Sequence, residues 1–167
     1  MDNEIYGLTK GQVAPTTPTG DQTKSTYWGN PEPSVDPCEL AISNGATWVG
    51  RGFSGDTKTL VELTAAAISH HGFSFLNVMS PCVTFRGVHQ FKELKEKLQY
   101  VPEDHDATRR APAIAYTREK DVLTTGVLYE IEAPSMMDRL DAIKEQAASQ
   151  GPTPSTQEIL STFLPSF

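Results

Sequence analysis

The sequence predicts an α/β fold built around a parallel sheet, and the order of its helical and extended segments carries this prediction. Apolar residues recur at helical spacing between Leu60 and Ile68, downstream of Asp56, a residue that can cap a helix. Residues 73–79 form a short apolar run that ends at a Ser-Pro pair, which is typical of a buried strand. Because helix, strand, helix and strand follow one another, the pattern favours parallel strands joined by crossover helices, with ligands at the carboxyl ends of the strands.

Local signals place the individual elements. Pro37 suits the first position of a helix, and Gly45 and Gly72 suit the positions just after a helix ends. The stretch from residue 13 to 37 is rich in Thr, Pro, Gly and Ser and is predicted to be a long loop, which in a compact domain is usually functional or disordered. In chain order we predict helices at 37–44, 56–72, 90–98 and 135–148, and strands at 46–50, 73–79 and 126–131. Residues 99–125 are predicted to be polar and irregular. After Gly151 we predict an extended or poorly ordered arm, whose apolar residues suit docking on another surface: Ile159, Leu160, Phe163, Leu164 and Phe167.

Size and composition narrow the class of protein. A chain of 167 residues is large enough for one domain with a core. A net charge of −7 and a pI of about 5.0 argue against binding to nucleic acid or to an anionic membrane surface. No apolar run approaches the ~20 residues of a membrane helix, and no secretory leader is evident. Two cysteines make neither a disulfide framework nor a metal site by themselves, so we predict a cytoplasmic, reducing location.

The first twelve residues, MDNEIYGLTKGQ, combine oxygen donors with glycines in one short turn. Asp2 and Asn3 offer side-chain oxygens, and Ile5 offers a carbonyl if the backbone leaves a strand there. Such oxygens suit Mg2+, which takes few protein ligands and keeps phosphate oxygens in its shell. Gly7 and Gly11 permit a close approach that a Cβ would block, so the following amides can face a phosphate. From these residues alone, a magnesium-diphosphate loop and a plain polar turn are equally acceptable.

The run DNEIYGLTKGQ, followed by PTTPT at residues 15–19, resembles the thiamine-diphosphate motif in β subunits of 2-oxoacid:ferredoxin oxidoreductases. The resemblance covers the second half of that motif, and it is strongest to the branch that acts on 2-oxoglutarate and broader 2-oxoacids. It implies that Asn3 and Ile5 bind Mg2+, through a side-chain oxygen and a backbone carbonyl respectively. It also implies that Gly7, Leu8 and Thr9 lie beside the bound thiamine diphosphate.

Leu8 and Lys10 bear on the choice of substrate. Pyruvate-specialised relatives commonly have asparagine where Leu8 stands, and they lack the Leu-Thr-Lys-Gly-Gln run. A lysine in the active-site loop can pair with a second carboxylate, such as the distal one of 2-oxoglutarate. The alternative for Lys10 is a solvated surface lysine, which is the usual state of lysine. The resemblance implies that Leu8 and Lys10 belong to the substrate pocket.

The segment SPCVTF at residues 80–85 contains the second candidate site. A single cysteine at a strand end is more often a small buried hydrophobe than a ligand. However, SPCVTF resembles the β-subunit segment that supplies one thiolate of a 4Fe-4S cluster, which implies that Cys82 is a cluster ligand. Four thiolates are usual, so the other three would lie upstream of this chain. Cys38 lies outside any matching motif and is predicted to pack in the core.

A third segment that resembles the same family, RGFSGD at residues 51–56, follows the predicted strand at 46–50. Arg51 at the carboxyl end of that strand either faces an anion or pairs with Asp56. The sequence leaves both alternatives open.

Taken together, the resemblance implies a fragment of an enzyme complex that oxidatively decarboxylates 2-oxoglutarate or another 2-oxoacid. The implied cofactors are thiamine diphosphate, Mg2+ and the 4Fe-4S cluster; the implied partners are an α subunit, ferredoxin, the 2-oxoacid and coenzyme A. Residues 1–89 would be the C-terminal part of the thiamine-diphosphate-binding fold, and residues 90–167 a helical C-terminal extension.

Two alternatives remain for the function. One is a pyruvate or indolepyruvate enzyme of the same superfamily, against which Leu8 and Lys10 argue. The other is a non-catalytic fragment that keeps only the subunit interface.

Met1 is interpreted as an internal methionine, because the family has a strand and a Gly-Asp-Gly segment before the Asp-Asn pair. A longer reading frame that encodes this segment would support the interpretation.

Overall fold

The computed structural model describes residues 1–119, 121–152 and 154–163. In this part of the chain the strands are β1 (Trp48–Phe53), β2 (Ser74–Met79), β3 (Leu98–Tyr100) and β4 (Leu123–Glu130). The helices are α1 (Pro37–Ser43), α2 (Thr57–Ser69), α3 (Val83–Arg86), α4 (His89–Lys97), α5 (Arg110–Thr117), α6 (Met136–Ser149) and α7 (Thr156–Ser161). The alternation of α1, β1, α2 and β2 confirms the predicted α/β class.

The four strands form one sheet in the order β2-β1-β4-β3. Strands β1 and β2 are parallel, as are β3 and β4, so the prediction of a mainly parallel sheet is confirmed. Strand β4, however, runs antiparallel to β1. The sequence predicted the direction of β2 because α2 crosses from one strand to the next, whereas no such unit connects β1 directly to β4.

Helices cover both faces of the sheet. On one face, a Cβ placed on Gly52 of β1 would meet Leu60 and Leu63 of α2, so the absence of a side chain lets this helix lie close. On the other face, α1 and α5 pack on β1 and β4 around buried Val49. The buried members of this core are Cys38, Ile42, Ala46, Val49, Ala113, Leu128 and Tyr129. Cys38 is fully buried, as predicted, and burial raises the pKa of its thiol to about 11.

Arg51 lies within β1 rather than at its end, because the strand starts and finishes later than predicted. Its side chain is 7% exposed and forms an ion pair with Asp36. Asp36 also caps α1, accepting hydrogen bonds from the amides of Cys38 and Glu39 at 2.8 and 2.9 Å. Of the two alternatives left open for Arg51, pairing with Asp56 is not observed. Asp56 instead caps α2 by accepting a hydrogen bond from the Thr59 amide, and it accepts another from the Tyr100 hydroxyl.

Two regions predicted to be irregular contain regular structure. Residues 99–125 include part of β3, all of α5 and the start of β4. A three-residue strand has too few positions to show an alternating pattern, and Pro112 in α5 obscured a helix whose first turn tolerates proline. The arm after Gly151 contains the helix α7, which Ser155 and Glu158 cap reciprocally. Leu164 and Phe167 of the predicted arm lie outside the described residues.

The chain divides into two compact units, residues Met1–Ala133 and Pro134–Phe167. In the second unit, the helix predicted at residues 135–148 is confirmed as α6, with a capping box between Ser135 and Asp138. Its apolar residues Met136 and Ile143 are 75% and 60% exposed. None of the described helices is both long enough and apolar enough to cross a membrane.

Candidate functional site

The N-terminal loop, residues 2–12, begins at the carboxyl end of β2. The Asp2 amide donates to the Val78 carbonyl at 2.8 Å, and the Ser80 amide donates to the Asp2 carbonyl at 2.7 Å. Asp2 thereby forms a parallel bridge with Met79 and adds one position to the edge of the sheet. The first sequence motif therefore lies where ligands bind in open α/β sheets.

The oxygen donors of the predicted magnesium site lie in two consecutive turns. The Glu4 amide donates to Asp2 Oδ1 at 2.9 Å, and the Ile5 amide donates to Asn3 Oδ1 at 3.3 Å. Thr16 fixes Asp2 further, since its hydroxyl donates to Asp2 Oδ1 at 2.8 Å. Ile5 itself is buried, while Asn3 is partly exposed. The turns therefore hold the side-chain oxygens of Asp2 and Asn3 beside the backbone of Glu4 and Ile5, and hard oxygens are the donors that Mg2+ takes.

The rest of the N-terminal loop folds back on itself. The Tyr6 amide donates to the Gln12 carbonyl at 3.0 Å, and the Gly11 amide donates to the Tyr6 carbonyl at 2.8 Å. Inside this closed loop, Gly7, Leu8, Thr9 and Lys10 make a turn in which the Lys10 amide donates to the Gly7 carbonyl at 3.0 Å. Leu8 is 98% exposed at the tip of this turn, and Thr9 and Lys10 are exposed beside it.

Gly11 lies against the second sequence motif. Its φ of +94° is in the left-handed region, and a Cβ at this position would come within 2.9 Å of Phe85 Cδ1. The prediction that Gly11 permits a close approach is therefore confirmed, and the surface approached is the Phe85 ring. Gly7 differs, since it lies outside the left-handed region and a Cβ there would meet nothing within 4 Å.

We expect Gly11→Ala to lower the free energy of unfolding by ~1–3 kcal/mol, because it adds both left-handed strain and a clash with Phe85. Denaturant unfolding measures this change. Gly7→Ala in the same loop is the matched control, and we expect it to change stability by no more than about 0.5 kcal/mol. Equal effects of the two substitutions would contradict the assigned role of Gly11.

The predicted long loop from residue 13 to 37 is confirmed as a segment without helix or strand up to Asp36. Two buried polar residues hold it in place. The Thr17 hydroxyl donates to the Glu4 carbonyl at 2.6 Å, and Asn30 Nδ2 donates to the Thr17 carbonyl at 2.9 Å. The long loop is thus anchored on the N-terminal loop through Thr17.

Cys82 stands directly before α3 and is partly buried, as a free thiol. Its carbonyl accepts hydrogen bonds from the amides of Phe85 and Arg86 at 3.2 and 2.8 Å. The described part of the chain contains no group of three or more His, Cys, Asp or Glu side chains that could hold a metal ion. Cys82 is thus not a member of such a group within the described residues.

A charged cluster that the sequence did not predict joins the two motifs. Arg86 of α3 forms an ion pair with Asp21 and lies 3.5 Å from the Glu4 carboxylate, and it also donates to the Glu4 carbonyl at 3.4 Å. Gln90 Nε2 donates to Glu4 Oε2 at 3.4 Å. Burial raises the pKa of the Glu4 carboxyl to about 7, although the nearby Arg86 opposes this shift. The sequence signal that could have pointed to this cluster is the position of Arg86, which directly follows SPCVTF.

Two protein-family models match this chain. The family model for the C-terminal TPP-binding domain of thiamine pyrophosphate enzymes matches residues 1–78. The family model for the C-terminal region of the pyruvate ferredoxin oxidoreductase β chain matches residues 82–145. The first match contains the N-terminal loop and the β1–β2 unit, and the second begins at Cys82. Fold and matches together define a thiamine-diphosphate-binding domain.

The individual relatives are more specific. The β subunit of 2-oxoacid:ferredoxin oxidoreductase 2 from Aeropyrum pernix is 32% identical over 86% of this chain and 50% of its own length. The 2-oxoglutarate synthase subunit KorB from Methanocaldococcus jannaschii is 29% identical over 90% of this chain and 56% of its own. A solved 2-oxoglutarate:ferredoxin oxidoreductase from Magnetococcus marinus, with 2-oxoglutarate, coenzyme A and succinyl-CoA bound, matches with a TM-score of 0.86 and 33% identity over 99% of this chain and 57% of that chain.

The chain belongs to the β-subunit family of the 2-oxoacid:ferredoxin oxidoreductases, as the resemblance predicted. It spans about half the length of the curated relatives it matches.

Proposed function

We propose that this chain forms part of the thiamine-diphosphate site of an enzyme complex that oxidatively decarboxylates 2-oxoglutarate or a related 2-oxoacid. The observation that carries the proposal is the position of the N-terminal loop, which leaves the sheet at the carboxyl end of β2 and contacts the segment that contains Cys82. The bound thiamine diphosphate supplies the chemistry that removes CO2 from the 2-oxoacid.

In this proposal the Asn3 side-chain oxygen and the Ile5 carbonyl would hold Mg2+, a cation that takes few protein ligands and favours phosphate oxygens. The Asn3 side-chain oxygen lies against the Ile5 backbone, and hard oxygens of this kind support the role. Gly7, Leu8 and Thr9 line the cofactor from the tip of the loop. Because this tip is exposed in the single chain, we infer that the other walls of the cofactor site come from another polypeptide segment.

Cys82 is proposed as one ligand of a 4Fe-4S cluster that carries electrons to ferredoxin. Its thiol is free, and the segment that contains it contacts the N-terminal loop through Ser80 and Phe85. The described part of the chain offers Cys38 as its other thiol, and Cys38 is sealed in the core. The three remaining thiolates would therefore come from outside this chain.

The substrate assignment depends on the exposed tip of the N-terminal loop. Lys10 carries a charge that can pair with the distal carboxylate of 2-oxoglutarate, and Leu8 provides an apolar neighbour. The names of the M. jannaschii and M. marinus relatives support this choice. Coenzyme A, ferredoxin and an α subunit are the proposed partners, and the division into residues 1–89 and 90–167 is kept as part of the proposal. Two free thiols favour a cytoplasmic location.

Thiamine diphosphate binding tests the proposal. Titrated calorimetrically into the chain together with the subunits that co-purify with it, the cofactor should bind in a Mg2+-dependent manner. Asn3→Ala should weaken this binding by roughly tenfold or more, because a metal ligand is lost. Asn44→Ala, which changes an exposed amide at the end of α1, is the control and should have no effect. Binding that ignores Mg2+, or no binding at all, would favour a non-catalytic fragment that keeps the subunit interface.

The second candidate function is oxidation of pyruvate or indolepyruvate, and the description of the family model at residues 82–145 favours keeping it. Substrate kinetics of a Lys10 variant separate the two candidates.

A further inference from the structure

The N-terminal loop and the segment from Ser80 to Arg86 are joined at three separate points. The Ser80 amide donates to the Asp2 carbonyl at 2.7 Å. Phe85 lies against Gly11, and Arg86 donates to the Glu4 carbonyl at 3.4 Å. The first contact continues the sheet, but the other two arise from side chains of α3. The second motif therefore supports the first through specific side chains as well as through the backbone.

Glu4 stands between the two proposed magnesium ligands, and its backbone is unusual. Its φ of +54° is in the left-handed region, which non-glycine residues seldom adopt. Such a conformation persists only where the surroundings hold it. The Glu4 carbonyl accepts hydrogen bonds from the Thr17 hydroxyl and from Arg86. Because Asn3 and Ile5 flank Glu4 directly, the conformation of Glu4 sets how their oxygens are presented.

Arg86 supplies the positive charge that faces the carboxylates of Glu4 and Asp21. Its side chain is 16% exposed, and so is that of Glu4, so solvent screens their interaction only in part. Arg86 also pairs with Asp21 of the long loop. Without the guanidinium, the carboxylates of Glu4 and Asp21 would lose the cation that both contact, and the carbonyl of Glu4 would lose one of its donors.

We propose that Arg86 is a positioning residue that holds Glu4 in its left-handed conformation, so that the Asn3 side chain and the Ile5 carbonyl are presented together to Mg2+ and the diphosphate. Within the N-terminal loop Arg86 contacts Glu4, and it acts through that residue. The consequence for binding rests on the proposed function, whereas the effect on loop conformation does not.

The conformational effect is tested by hydrogen exchange in the full chain without cofactor. Arg86→Met should speed exchange of the hydrogen-bonded amides of Tyr6, Lys10 and Gly11 by roughly tenfold or more. Arg86→Lys should restore most of the protection, because an ammonium group can still pair with Asp21. Arg118→Met, which removes an exposed arginine paired with Glu39, is the matched control and should leave these amides unchanged.

A second variant guards against loss of folding in Arg86→Met. Asp21→Asn leaves the arginine in place but removes its strongest partner, and it should speed exchange of the same amides by a smaller factor. Normal protection of these amides in any folded variant that lacks either the Arg86 or the Asp21 charge would overturn the inference.

The consequence for binding is measured on the same variants in the preparation used for thiamine diphosphate titration. Arg86→Met should raise the Kd for the cofactor in the presence of Mg2+ by roughly tenfold, and Arg86→Lys should recover most of it. If the unsubstituted protein does not bind thiamine diphosphate, the proposed function fails while hydrogen exchange still decides the role of Arg86. If it binds and Arg86→Met binds equally well, the positioning role is wrong.

Discussion

Asp36→Ala should lower the free energy of unfolding by ~3–5 kcal/mol, the largest effect on stability that we expect from a single substitution in this chain. The change leaves the Arg51 guanidinium buried within β1 without its carboxylate, and burial of an unpaired charge is costly. It also removes the cap of α1, which contributes ~1 kcal/mol. Denaturant unfolding followed by circular dichroism measures the sum.

Two further variants separate these contributions. Asp36→Asn keeps a good capping side chain and removes only the charge. It should therefore lower the free energy of unfolding by most of the amount expected for Asp36→Ala. Glu39→Gln breaks the ion pair with Arg118, whose side chain is 68% exposed, and it should cost less than about 1 kcal/mol. If Asp36→Ala cost no more than Glu39→Gln, the buried ion pair would not be a stabilising element of the sheet.

Lys10→Gln should have the largest effect on the choice of substrate. In the complete enzyme complex we expect it to raise KM for 2-oxoglutarate by roughly 10- to 100-fold, the range for loss of one hydrogen bond to a charged group. KM for pyruvate, which lacks the distal carboxylate, should change little. Glutamine removes the charge but keeps an unbranched side chain of similar length, so the backbone strain at the Lys10 φ of +75° stays about the same. Steady-state kinetics with both substrates make the measurement.

Lys58→Gln on α2 provides the control for Lys10→Gln, since it removes an equally exposed lysine far along the chain from the loop. It should leave both KM values unchanged. If Lys10→Gln raised KM equally for 2-oxoglutarate and pyruvate, Lys10 would not bind the distal carboxylate. Its role would then be to support the loop's conformation or to bind the cofactor.

The features that the sequence predicted are those encoded by neighbouring residues. Strand β2 and helix α2 show their periodicity within a few turns, and Asp56 caps α2 as expected. The close approach at Gly11 was likewise visible, because a glycine in a turn has a limited set of uses. The short runs DNEIYGLTKGQ and SPCVTF also sufficed to predict the family.

The features that escaped prediction depend on residues distant in sequence. Arg86 and Glu4 are 82 positions apart, and nothing local to either residue indicates the other. For Arg51 the sequence left an anion and nearby Asp56 open, but the fold brings Asp36 to it because α1 packs on the same face of β1. The antiparallel placement of β4 is a similar case. Pairings of this kind are decided by tertiary packing, which local propensity does not encode.

The single bridge between Asp2 and Met79 has a consequence for how the chain behaves by itself. Within the described residues it covers only the carboxyl end of the outer edge of β2. The remaining length of that edge presents backbone amides and carbonyls of the kind that recruit a further strand from any available chain. Edge-to-edge aggregation is thus the hazard of handling this chain in isolation, and a companion polypeptide that supplies the neighbouring strand would remove it.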